Sequence, residues 1–385
     1  MDAGVDPTGT TGLGGVIVLV GLVGVAAAVG VGEPADADPV GTGVVPAQAV
    51  SRTMDSPNAA RTRGEDGFVM PHSSPSTLGW RVAPAVHPKR WHHGVMGSRT
   101  APPRRPVAVV GTRYEQTDLS INGVRIRMID VPARTPSPHT RTLLILPGHT
   151  ARIEGFDAMV PALSEHHRVV VLDLPGSGYS DRPNRRYTLR YYEDTIIAVL
   201  DHLGITQTIP VGGSLGGNLV LRLGHRFPHR FPTLVVWAPG GAWKAKPRLA
   251  AITRRLGRTA FWPSVRIQSR FWFHPQFPGR QQALAETFTY YREVLCPGFV
   301  KMYWGIAADQ LAHSLFDIAP EIEQPTLMLW GDQDNGANMG AGVARLVDQL
   351  PNNVFVTFPG ARHSLEAEVP DELSAAILHF LAGTR

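Results

Sequence analysis

The amino-acid sequence predicts an α/β fold: a mainly parallel sheet covered by helices on both faces, with a helical cap inserted between two strands. Three observations carry this reading. From residue 143 onward, short and wholly apolar runs recur between stretches of helical character, and such runs are the strands of a sheet buried on both faces. One run, Thr208-Ile209-Pro210-Val211, enters Gly212-Gly213-Ser214-Leu215-Gly216, and the helix-permissive Asn218-Leu219-Val220-Leu221-Arg222-Leu223 leaves it. Between residues 240 and 320 the strand signal stops, and an aromatic-rich, helix-like stretch takes its place.

The chain in order supports this plan. Residues 13–31 carry no charge and are long enough to span a bilayer, so they are a candidate membrane segment. Asp2 and Asp6 precede them without any Lys or Arg, unlike the basic start of a signal peptide. A cytoplasmic location is favoured, with membrane anchoring through 13–31 as the alternative. Residues 32–110 are rich in Pro, Gly, Ser, Thr and Arg and lack periodicity, which predicts a disordered linker. Alternation over 117–121 and 124–129 flanks Asn122-Gly123, a β-hairpin. Strands are then expected at 143–146, 169–172, 208–211, 234–237, 326–330 and 354–358, and helices at 153–166, 189–203 and 373–381. Antiparallel pairing is expected only at the N-terminal edge. The resulting divisions are 1–110, a first core part at 111–240, the cap at 241–320 and a second core part at 321–385.

Composition narrows the function. A single cysteine, Cys296, excludes intramolecular disulfides. The net charge of +5 has part of its basic excess in the loose segment 51–106, with no nucleic-acid motif beside it, so no nucleic-acid partner is expected. The histidine spacings include nothing like H-E-x-x-H, and neither a metal nor a cofactor is expected.

The chemistry centres on Ser214. G-x-S-x-G between strand and helix is a nucleophile elbow, in which the turn is too sharp for side chains two residues either side of the serine. Gly212 and Gly216 meet that demand. A serine nucleophile needs a base, and the base needs an orienting acid. These should follow strands, because ligands bind at that edge of an open α/β sheet. His363 follows the last strand through Pro359-Gly360-Ala361-Arg362, and Asp334 follows 326–330 in Gly331-Asp332-Gln333-Asp334. Asp332 competes for the role but suits a turn carboxylate. The oxyanion is expected to bind the backbone N–H groups of Leu215 and His149.

These segments resemble the α/β-hydrolase superfamily. Leu146-Pro147-Gly148-His149 stands in place of the family's His-Gly loop, Asp173-Leu174-Pro175-Gly176-Ser177-Gly178-Tyr179-Ser180 resembles D-x-P-G-x-G-x-S, and Gly331 to Asp334 resembles G-x-x-D. Gly213 stands where His is frequent before the serine. The resemblance implies a capped serine esterase or lipase-like enzyme acting on a small-molecule ester with an apolar group. Amide or peptide hydrolysis as in proline iminopeptidases, carbon–carbon bond hydrolysis, peracid formation and non-catalytic ligand binding are the alternatives. A serine nucleophile sets the aspartate-nucleophile dehalogenases and epoxide hydrolases apart.

Overall fold

A computed structural model describes residues 81–82, 111–334 and 339–384. The candidate membrane segment 13–31 and nearly all of the expected linker lie outside the described residues. Among the described residues no helix is long and apolar enough to cross a membrane.

Among the described residues nine strands form one sheet: β1 (Arg81–Val82), β2 (Gln116–Ile121), β3 (Val124–Val131), β4 (Thr142–Leu146), β5 (Arg168–Leu172), β6 (Ile209–Gly213), β7 (Leu234–Trp237), β8 (Thr326–Gly331) and β9 (Asn353–Phe358). Their order is β1-β9-β8-β7-β6-β4-β5-β3-β2. The six central strands run parallel; β4 to β8 are almost entirely buried, as their apolar runs require, while β9 is mostly half-buried. The β2–β3 hairpin turns through Asn122 and Gly123, both with positive φ, 50° and 76°, the conformation that matches the twist of flanking strands. One expectation is corrected at the far edge. Arg81–Val82 pairs antiparallel with β9, so antiparallel pairing is not confined to the N-terminal hairpin and the span 32–110 is not structureless throughout. Two residues are too short a run for periodicity to reveal.

The helices are α1 (Val160–Ser164), α2 (Leu189–His202), α3 (Leu215–Arg226), α4 (Pro247–Thr253), α5 (Arg258–Trp272), α6 (Arg280–Val294), α7 (Pro297–Ala312), α8 (Met339–Gln349), α9 (Leu365–Glu368) and α10 (Pro370–Gly383). The single helix expected over 153–166 is instead a 3₁₀ turn at Ile153–Phe156 followed by the short α1. Pro161 sits at the start of α1, where a proline opens a helix rather than continuing one. The cap comprises α4 to α7, between β7 and β8.

A buried ion network fixes the loop after β5. Asp173 and Arg127 are both fully buried. The Asp173 carboxylate accepts from Arg127 Nε at 2.5 Å, from the Ile153 amide at 2.9 Å and from the Tyr179 amide at 2.8 Å. The remaining Arg127 donors reach Glu154 and Gln116. Gly178 has φ +53°, and a Cβ there would lie 2.0 Å from the Asp173 carboxyl carbon. The acid and the last glycine of Asp173-Leu174-Pro175-Gly176-Ser177-Gly178 are therefore one packing unit.

Candidate active site

The ends of β4, β6, β7, β8 and β9 lie in register along one edge. Leu146 pairs with Gly212, Gly213 with Trp237, and Gly331 with Phe358. Ser214 follows β6 with φ 55° and ψ −116°, outside the regions an L-residue occupies without strain. Neighbouring backbone holds it there. Its N–H donates to the Trp237 carbonyl at 3.0 Å, and its carbonyl accepts from Gly240 at 2.9 Å and Asn218 at 3.0 Å. The two motif glycines are close-approach positions. A Cβ on Gly212 would come within 2.6 Å of the Gly216 backbone, and one on Gly216 within 1.9 Å of the Leu146 carbonyl oxygen.

Gly213 has a separate cause that its position before the serine did not disclose. The Trp237 indole lies over it, and a Cβ there would sit 2.0 Å from Nε1. Trp237 is 1% exposed, so the ring has nowhere to retreat. Gly213→Ala is expected to destabilise the fold by about 3 kcal/mol or more through overpacking, read as a lower urea midpoint. Trp237→Leu in the same chain should make the combined loss smaller than the sum of the two.

Asp334 and His363 meet across the β8 and β9 loops. His363 Nδ1 lies 2.8 Å from Asp334 Oδ2, and Asp334 is buried. Asp332 instead accepts the Gly360 amide at 2.8 Å and stays exposed. Gly331 lets the loops cross, since a Cβ would lie 2.3 Å from the Arg362 carbonyl oxygen. Burial pulls the His363 pKa down, but the Asp334 charge and hydrogen bond, with the charges of Glu366 and Glu368, outweigh it and leave the pKa above 6.5.

Gly148 brings the β4 loop against the nucleophile: a Cβ there would lie 3.4 Å from Ser214 Cβ. His149 follows, stacked on Tyr303 of α7 with centroids 4.8 Å apart. Burial lowers its pKa to about 4, so the imidazole is neutral at physiological pH. Leu215 opens α3, its backbone next to Ser214.

Several residues of this region had no signal in the sequence. Glu366 lies three residues after His363 and accepts from Trp237 Nε1 at 2.9 Å; burial raises its pKa. Thr150, with φ 66°, shares a 2.6 Å hydrogen bond with Tyr291 of α6. The end of α5 latches onto the histidine loop, where the Ser364 amide donates to the Trp272 carbonyl at 3.1 Å and Arg362 Nη1 to the Arg270 carbonyl at 3.0 Å. Phe261, Tyr290, Tyr291, Phe299 and Tyr303 pack edge-on or tilted against one another, so most cap aromatics build the cap's own core. Tyr291 and Tyr303 also reach the β4 loop.

An open parallel sheet, a strained serine between strand and helix, and a carboxylate–imidazole pair on the same edge define an α/β hydrolytic architecture. A family model described as alpha/beta hydrolase fold matches residues 141–368, and the chain belongs to that family of enzymes. It is 23% identical over 259 residues to an uncharacterized hydrolase of Bacillus subtilis, covering 64% of this chain and 91% of that one. It is 29% identical to a 2-hydroxymuconate semialdehyde hydrolase of Pseudomonas putida over 57% of this chain and 78% of that one. A haloalkane dehalogenase of Mycobacterium tuberculosis is 24% identical over 57% and 80%. Among solved structures, an enol-lactonase from Burkholderia xenovorans superposes with a TM-score of 0.57 at 22% identity, over 69% of this chain and 99% of that one. Likenesses of that kind establish the fold.

Proposed function

We propose that this enzyme is a serine hydrolase that cleaves a carboxylic ester bearing an apolar group. The observation that carries the reading is the 2.8 Å Asp334–His363 pair on the sheet edge that also presents Ser214. Ser214 Oγ attacks the ester carbonyl carbon while His363 takes the hydroxyl proton. The resulting oxyanion is met by the backbone N–H groups of Leu215 and His149. Collapse breaks the bond to the alcohol oxygen, which receives the proton from His363, and leaves an acyl group on Ser214. Water, deprotonated by His363, repeats the sequence and releases the acid. Asp334, accepting at Nδ1, keeps the imidazole in the tautomer whose Nε2 is free to take a proton and stabilises the imidazolium. The cap aromatics suit an apolar acyl or alcohol portion.

The test is labelling by a fluorophosphonate followed by a panel of esters of increasing acyl length. Labelling with turnover of apolar esters supports the reading; saturable ester binding without turnover or labelling would refute it. The likeness to a 2-hydroxymuconate semialdehyde hydrolase favours a second reading, carbon–carbon bond hydrolysis at the same residues. Turnover of a ring-fission dienone in preference to every ester would select it.

A pH profile follows from the histidine. The base must be neutral to accept a proton, so activity is lost as pH falls through its pKa. Since the pKa is held above 6.5, kcat/KM on a soluble ester is expected to rise with pH with a midpoint above that value. A profile with no loss of activity on the acid side would contradict the assignment of His363. The same raised pKa stabilises the fold below pH 6.5, and that contribution fades as pH rises through the folded-state value.

A further inference from the structure

We propose that the outer face of the cap docks on an anionic phospholipid surface. The observation begins with charge. The cap, residues 241–320, holds eleven Lys and Arg against four Asp and Glu, a net of +7, where the whole chain carries +5. The cap therefore carries a strong positive excess of its own, as segment 51–106 also does, while the remainder of the chain is acidic.

Two helices organise part of that charge in the same way. In α5, Arg258, Trp262, Arg266 and Arg270 recur every four residues; in α6, Arg280, Leu284, Phe288 and Arg292 do the same. Residues four apart lie on one side of a helix. The helices meet so that the Trp262 and Phe288 rings stack, with centroids 6.2 Å apart and planes 18° from parallel. Trp262, Phe288, Arg266 and Arg292 line one shallow cleft of about 320 Å³. Arg266 and Arg292 are exposed, and among the described residues neither guanidinium has a hydrogen-bond or ion-pair partner. Nearby acids are engaged elsewhere: Glu286 accepts from Gln282, and Glu293 from Tyr179.

Two unpaired guanidinium groups and two half-buried aromatic rings lining one cleft form a surface with both features of a membrane–water boundary. The rings have an apolar body suited to the headgroup–acyl boundary, and the arginines match phosphate charge. The inner sides of the same helices point inward to the site. Phe261, next to Trp262, packs on Tyr303 at 4.9 Å, and Tyr291, near Phe288, hydrogen-bonds Thr150 in the loop after β4. A membrane-bound cap would thus stand one helix layer from Ser214.

The test is co-sedimentation of the full chain with vesicles of phosphatidylcholine, with and without phosphatidylglycerol, at low and high salt. The wild-type protein is expected to pellet with the anionic vesicles alone and to be released by salt. Arg266→Ala with Arg292→Ala should weaken that binding roughly 30-fold, and Trp262→Ser should weaken it at constant salt. Arg266→Lys with Arg292→Lys should keep most of it. Melting temperatures verify that the variants are folded. Equal binding to neutral vesicles, an arginine pair variant that binds like wild type, or displacement by millimolar inorganic phosphate at unchanged ionic strength would each overturn the proposal. The second outcome would place any binding in the amino-terminal segment, and the third would make the cleft a site for a free anion.

Discussion

Ser214→Ala is expected to abolish fluorophosphonate labelling and to reduce turnover by on the order of 10⁶, the scale seen when a triad nucleophile is removed. The reason is chemical: in the proposed mechanism the acyl bond forms at Ser214 Oγ, which alanine lacks. The fold should persist, because alanine keeps the Cβ and the backbone hydrogen bonds at Ser214 use only main-chain atoms. Ser214→Gly makes the test sharper. A non-glycine residue at φ 55° and ψ −116° stores about 1–3 kcal/mol of backbone strain, and glycine adopts positive φ freely. Ser214→Gly should therefore be inactive and melt no lower than Ser214→Ala. Retained labelling in Ser214→Ala would assign the nucleophile elsewhere. A glycine variant much less stable than the alanine variant would show that the elbow is not strained.

The second large effect separates the two acids of one loop. Asp334→Asn is expected to lower kcat by on the order of 10⁴, as loss of the correct histidine tautomer does in the serine proteases, with little change in melting temperature. An asparagine amide group would donate to Nδ1 and turn the imidazole proton toward the serine, where an acceptor is required. Asp332→Asn keeps an oxygen for the Gly360 amide and should cost at most about 1 kcal/mol of loop stability, with turnover near wild type. The outcome that defeats this assignment is the opposite ranking, with Asp332→Asn inactive and Asp334→Asn active.

Both expectations rest on residues that are legible in the sequence alone. G-x-S-x-G can be read locally because its cause is local: the elbow brings Gly212 against Gly216, four residues away, and any strand–turn–helix of this sharpness makes that demand. That Asp334 rather than Asp332 meets His363 was also an expectation of the sequence, since a carboxylate directly after Gly331 is placed to bond the turn. The hairpin at Asn122-Gly123 is legible for the same reason. The break in 153–166 was harder, because apolar spacing continued through it while Gly155 and Pro161 interrupted the backbone.

By itself the sequence determined the parallel core, and it pointed to the serine, acid and histidine proposed for the site. Strand burial, glycine spacing and loop order are all encoded within runs of a few residues. Only the tertiary structure decided why Gly213 is not a histidine, since the Trp237 ring that excludes a side chain arrives from the next strand. Only it decided that Glu366 is held by that same ring, that Tyr291 and Tyr303 close on the β4 loop, and that Arg81–Val82 completes the far edge. It also decided that two helical stripes meet to join Trp262 to Phe288 and, among the described residues, leave Arg266 and Arg292 unpaired. Each of these joins residues from separate elements, and packing between elements depends on three-dimensional complementarity that no local pattern records.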